Sequence, residues 1–75
     1  MNWKVMTVRK VIHNPELVRE IKEAKRAILT LPYSSEQTVD VKEVRSTNGG
    51  LVIECEKGRN FMFTGKENST IMVVN

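Results

Sequence analysis

The sequence predicts an α+β domain in which a single helix packs on a five-stranded, mostly antiparallel sheet, in the order β-α-β-β-β-β. Three observations carry this reading. Only Asn14 to Pro32 repeats its apolar residues with a helical period. The apolar runs elsewhere are short and broken by Asn, Gly and Lys, and Thr47-Asn48-Gly49-Gly50 is a hairpin signal. A chain of 75 residues forms one domain over 1–75, and at this size only about 60% of the unfolded surface is buried, so its core is small.

In chain order, Trp3 to about Val11 reads as a strand with Trp3, Val5 and Thr7 on one side and Lys4, Met6 and Val8 on the other. His13 stands at the corner before the helix and, with no ligand or triad partner nearby in sequence, reads as a structural polar residue. Asn14 can cap the helix, Pro15 suits its first position, and Glu16 meets the positive end of the macrodipole. Leu17 stands where Glu or Gln would complete a capping box, so the cap is partial. Leu31-Pro32 forces the chain out of the helical region, giving a rod of about sixteen residues, roughly 24 Å long.

Around this helix Leu17, Ile21, Ala24 and Ile28 form an apolar stripe widened by Val18 and Leu29. Arg19, Lys22 and Arg26 make a basic flank, and Glu16, Glu20 and Glu23 an acidic one. Local pairs at i,i+3 and i,i+4 would contribute only about 0.2–0.5 kcal/mol each. The alternative is that Arg19, Lys22 and Arg26 contact an acidic partner or phosphates.

A strand is expected from Thr38 to about Ser46, where Val39 and Val41 share a face but Val44 does not, which calls for a bulge near Lys42-Glu43 or a strand covered on both faces. Asn48-Gly49 suits a type I′ turn, with Gly49-Gly50 as the other register. Leu51 to Glu56 places Leu51, Ile53 and Cys55 on one face; Phe61 to Thr64 pairs its two Phe side chains likewise; Thr70 to Val74 closes the chain. The last four strands should form an antiparallel meander, and any parallel crossover through the helix should be right-handed.

Five strands about 4.8 Å apart are wider than one helix, about 10 Å across, can cover. With Leu51, Ile53, Cys55, Phe61, Phe63, Ile71 and Val73 under the helix, the opposite face would show Val52, Met62, Met72, Val74, Met6 and Val44. Either the sheet curls into a partial barrel or another protein, or a second copy, covers that face. Val52, Met62 and Met72 are the candidate contact residues there.

A formal charge of +3, with twelve Lys and Arg against nine Asp and Glu, is too mixed to bind nucleic acid by charge alone. One cysteine forms no internal disulfide, and no run resembles a signal peptide or a membrane span, so a cytoplasmic protein is expected. Asn68-Ser69-Thr70 fits a glycosylation pattern that needs a secretory route. No catalytic, cofactor or metal pattern is present: there is no Cys-x-x-Cys, no His pair, no Gly-rich phosphate loop, and a nucleophilic Cys55 would need His13 to approach it. The expectation is a non-enzymatic module that binds and modulates or inhibits a partner protein, or forms a homodimer. In architecture this matches small regulators of phages and mobile elements. The alternative is a nucleic-acid-binding regulator using the helix and the turn residues Lys57, Arg59 and Lys66 near Arg9 and Lys10, although such a platform calls for interleaved aromatics that the chain lacks.

Overall fold

The computed structural model describes residues 3–31, 35–65 and 68–74, residue 74 by its backbone only. The expected stop at Pro32, the position of Lys66 and the facing of Val74 lie outside what is described. Strand β1 (Trp3–Thr7) leads directly into helix α1 (Val8–Ile12), followed by α2 (Pro15–Ala24) and β2 (Arg26–Thr30). Then come β3 (Gln37–Thr47), β4 (Gly50–Cys55), β5 (Asn60–Thr64) and β6 (Thr70–Val74). The sheet has six strands in the order β1-β6-β2-β3-β4-β5, and every described pairing is antiparallel. The α+β class stands, with two helices and six strands among the described residues in place of one and five. The meander runs through β2, β3, β4 and β5 rather than through the last four strands; β6 returns to lie between β1 and β2, and the parallel crossover does not arise among the described residues.

The largest departure is at the end of α2. Asn14 caps it as its side chain allows, accepting from the Glu16 N–H at 3.0 Å and the Leu17 N–H at 3.4 Å. The helix ends at Ala24, where Lys25 turns left-handed with φ 66, and the chain continues as β2. The residues from 26 to 30 satisfy two periods. Ile28 follows Ala24 at helical spacing, but Ala27 and Leu29 alternate at strand spacing, and both are fully buried. As a strand this segment pairs with β6 on one side and β3 on the other. Burying Leu29 contributes about 1.5–3 kcal/mol, enough to offset the roughly 1–2 kcal/mol cost of the left-handed Lys25. The Lys25 carbonyl is also used, accepting from the Val41 N–H at 2.6 Å.

Strand β3 carries the sheet around a bend. Through 37–40 it pairs with β2, and from Val41 onward with β4, with a register shift between Val41 and Glu43. The extra residue is Lys42, at the expected bulge, and it lets Val41 and Val44, three apart, both point inward. Met6 and Val44, expected on the outer face, therefore lie in the core. The curl also follows from lengths. Edge strands β1 and β5 would stand about 24 Å apart in a flat sheet, since neighbouring strands are about 4.8 Å apart. Yet Arg9, two residues beyond β1, donates from Nε to the carbonyl of Gly65, which follows β5, at 3.1 Å. Helix α1, only about 7.5 Å long, fills the end of this partial barrel with Val8, Val11 and Ile12. Its Ile12 carbonyl accepts from Ser46 Oγ of β3 at 2.8 Å. One core results, joining both halves of the sheet to Ile21 of α2.

The hairpin between β3 and β4 takes the Asn48-Gly49 register, closed by Thr47 opposite Gly50. Gly49 has φ 86, but Lys25 is the non-glycine residue at positive φ among the described residues, so Asn48 keeps a negative φ and the type I′ turn is not formed.

Lys25→Gly separates the observed chain path from a continuous helix. Glycine takes the left-handed conformation without the Cβ penalty, so the variant is expected to gain about 1 kcal/mol in denaturant unfolding. Within a helix running to Leu31 the same change would instead lose about 1 kcal/mol.

Candidate functional site

The outer face of β1, β6 and β2 is where side chains are left without a layer above them. Because Met6 points inward and Lys4 folds toward α2, pairing with Glu20 at 2.8 Å, Trp3, Val5 and Thr7 face out. The register sets Val5 opposite Met72, and Met72 opposite Ile28, making one apolar row across three strands. Thr7, Thr70 and Thr30 form a second row at one end. Trp3 stands at the other end, where Arg26 pairs with Asp40 at 3.3 Å. Trp3 is 54% exposed and Val5 60% exposed, while Ile28 and Met72 are half-buried. An apolar centre with a Trp and a polar rim is the composition of a protein contact. The footprint of three strands is only about 14 by 17 Å.

Of the residues singled out in sequence, Met72 belongs to this row. Val52 and Met62 do not: they oppose each other on β4 and β5, with β2 and β3 between them and β6, so they form a separate patch on the other half of the curled sheet. Met62 is 77% exposed, and the neighbouring Arg45–Glu54 ion pair bounds that patch. The basic flank is also divided. Arg19 is exposed on α2, Lys22 pairs with Glu43 at 2.9 Å, and Arg26 is not helical at all but opens β2. Trp3 and Val5 were on one side of a strand in the sequence reading; their exposure follows from β1 being an edge strand, which periodicity does not report.

The turn between β4 and β5 lies at the same end of the molecule as the end of α2. Lys22, Lys25, Lys42, Asp40, Val41 and Glu56 surround a depression of about 510 Å³. Lys57 and Arg59 line a second, of about 180 Å³, with Asp40 and Cys55. Arg9 and Lys10 are at the opposite end, because β5 runs from Asn60 beside this turn to Thr64 beside Gly65. The expected grouping of Lys57 and Arg59 with Arg9 and Lys10 is therefore not made.

Cys55 is buried, and that burial pushes its thiol above the usual range, opposed by Arg59 and reinforced by Asp40. His13 follows Ile12, which is tied to Ser46 opposite Leu51, whereas Cys55 lies four residues along β4, about 13 Å away. The two are not a catalytic pair. Among the described residues no group of His, Cys, Asp and Glu side chains could hold a metal, and no helix is long and apolar enough to cross a membrane. Comparison with protein-family models, curated proteins and solved structures gives no match to this chain.

Glu43, beside the bulge, accepts from Lys22 and from the Val44 N–H, and these hold its carboxyl below the usual range, the Lys22 hydrogen bond most of all. A depressed carboxyl stabilises the fold above its unfolded value, and that contribution is lost as pH falls through the folded value. In an NMR titration the Glu43 carboxyl should have a low midpoint in the wild type and move up in Lys22→Met. An unmoved midpoint would show that the backbone contact alone sets it.

Proposed function

We propose that the protein is a small, non-enzymatic binding module that docks a partner protein through the outer face of β1, β6 and β2 and modulates or inhibits it by occupying its surface. The observation that carries this reading is the pairing of exposed Trp3 and Val5 with Met72 and Ile28 in one continuous apolar face. Trp is the residue type that most often concentrates binding energy in such contacts. The buried, raised thiol of Cys55 and its separation from His13 agree with a role that needs no nucleophile. A cytoplasmic setting suits a free thiol. Placing such a module among the regulators of phages and mobile elements is part of the proposal and rests on analogy.

One observation favours nucleic-acid binding as the second reading. Lys25, Lys42 and Lys57 come to one end from a helix terminus, a bulge and a turn, and none makes an ion pair among the described residues. Asp40 and Glu56 lie between them, and the aromatics Phe61 and Phe63 are buried, so the end lacks a stacking platform.

The test is affinity capture from extracts of the native cell, comparing the wild type with Trp3→Lys, Met72→Lys and with Met62→Lys. The wild type and the Met62 variant should retain the same partner protein, and the Trp3, Met72 variant should lose it while keeping its circular dichroism. Equal retention by all three would remove the proposed face. Loss only on reversing Lys25, Lys42 and Lys57, with sensitivity to nuclease and salt, would establish the second reading.

A further inference from the structure

Among the described residues strand β1 has a ladder partner on one side only, and the hydrogen bonds beyond it show which backbone groups the other side presents. The Val8 N–H donates to the Ser69 carbonyl at 3.0 Å, in the same register that pairs Thr7 with Thr70. In an antiparallel pair, residues alternate between bonding toward the partner and facing away from it. Val8, Met6 and Lys4 therefore bond toward β6, and the N–H and C=O groups of Trp3 and Val5, together with the N–H of Thr7, point to the open edge; the Thr7 carbonyl is taken by the start of α1, which Thr7 caps.

We infer that this edge pairs antiparallel with the same edge of a second copy of the chain, with Val5 on the two-fold axis. The inference rests on the reading of this region as a contact surface and names one occupant of it. Setting Val5 opposite Val5 of the copy places Trp3 opposite Thr7, giving four interchain hydrogen bonds: two between the Val5 residues and one from each Thr7 N–H to the Trp3 carbonyl of the other copy. Any register shifted by two residues leaves Trp3 or Thr7 without a partner.

The side chains fit the same register. Val5 meets its counterpart, and the row Val5, Met72 and Ile28 becomes continuous across the axis, with a Trp3 on each side. Lys4 lies opposite Met6, not opposite a second Lys4, and is already paired with Glu20. No like charges meet. Of the devices that protect an exposed edge, β1 has its shortness and the charged Lys4 on its inner side, which Glu20 holds against α2, and it carries no proline and no bulge.

Strand β5 is the other edge, and its Asn60, Met62 and Thr64 face outward by the same alternation, since Cys55 N–H donates to the Arg59 carbonyl. Thr64 already interacts within the chain, and Met62 adjoins only Val52 before the Arg45–Glu54 pair. Pairing of β1 with β5 of a copy is head-to-tail and makes a larger ring or an open filament, not a two-chain assembly. The β1 joint closes at two chains. With five residues a side it is smaller than the roughly 800 Å² per partner of a standard interface, so the dimer is reversible.

Two measurements on the full chain test it. Amide exchange followed by NMR should show the Val5 and Thr7 amides open in dilute protein and protected at least about fivefold more near 1 mM, as mass action fills the dimer. In a Cys55→Ala background, mild oxidation should link Val5→Cys into a covalent dimer, because directly bonded residues stand about 5.5 Å apart between Cα atoms, within disulfide range. Met62→Cys should not link. A chain that sediments as a monomer near 1 mM, or a dimer whose Val5 amide stays open or that links through Met62→Cys, overturns the inference. A monomer that still captures a partner through Trp3 and Met72 leaves the docking reading standing. A β1-linked dimer whose capture ignores those residues removes that reading alone.

Discussion

The bulge at Lys42 is the feature on which the rest of the molecule depends. A regular β3 would put Val41 and Val44 on opposite faces and keep the sheet flat, exposing one of them together with much of the inner face. With one residue out of step, β3 serves β2 along its first part and β4 along its second, and both halves turn the same side inward. A chain of this size has little surface to bury, and closing the sheet on itself makes one core from strands that a single helix would leave half covered. Helix α1 fills the end that the curl leaves open, and α2 lies along β3, where the Lys22–Glu43 pair fastens it beside the bulge. That pair is exposed and contributes little by itself. Its effect is on geometry, as Glu43 also accepts from the Val44 N–H at 3.1 Å.

The local signals in the sequence were legible where one period or one turn dominated. The Asn14 cap and the alternation of β4 and β5 were read from neighbouring residues, which also narrowed the hairpin to two registers and the misfit of Val44 to a bulge or a strand covered on both faces, without choosing between them. The end of α2 was not legible in this way, because residues 26 to 30 fit helical and strand periods alike. The choice was made by β6 and β3, which are far away in sequence and need a strand between them. Lys25 gave no warning, since a left-handed helix end is ordinarily marked by Gly or Asn. Helix α1 was hidden for the same reason: Val8, Val11 and Ile12 continue an apolar stretch that reads as strand until the curl gives five residues a pocket to fill.

The candidate site was legible only in part. Sequence could place Val52, Met62 and Met72 on the side away from the core, but their grouping depends on strand order, and β6 moved Met72 away from the other two and beside Val5 and Ile28. Trp3 and Val5 became prominent through their place on an edge strand, a property of topology. The basic residues followed the same rule: Arg26 left the helix flank when the helix ended early, while Lys25 and Lys57, distant in sequence, met at one end of the barrel. Mixed charge there and apolar character on the β1 face give the two ends of the function argument their different weights.

The central claim is that the chain leaves the helix at Lys25 and passes between β6 and β3, which joins the two halves of the sheet that the bulge curls and creates the outer apolar row. The most direct measurement is the set of backbone nuclear Overhauser contacts of Ile28 in the uniformly labelled protein. The account expects cross-strand contacts from Ile28 to Met72 and to Thr38, with extended sequential contacts from Arg26 to Thr30. Continuous amide-to-amide contacts through Leu29, with i,i+3 contacts from Lys25 to Ile28 and none to Met72, would contradict it.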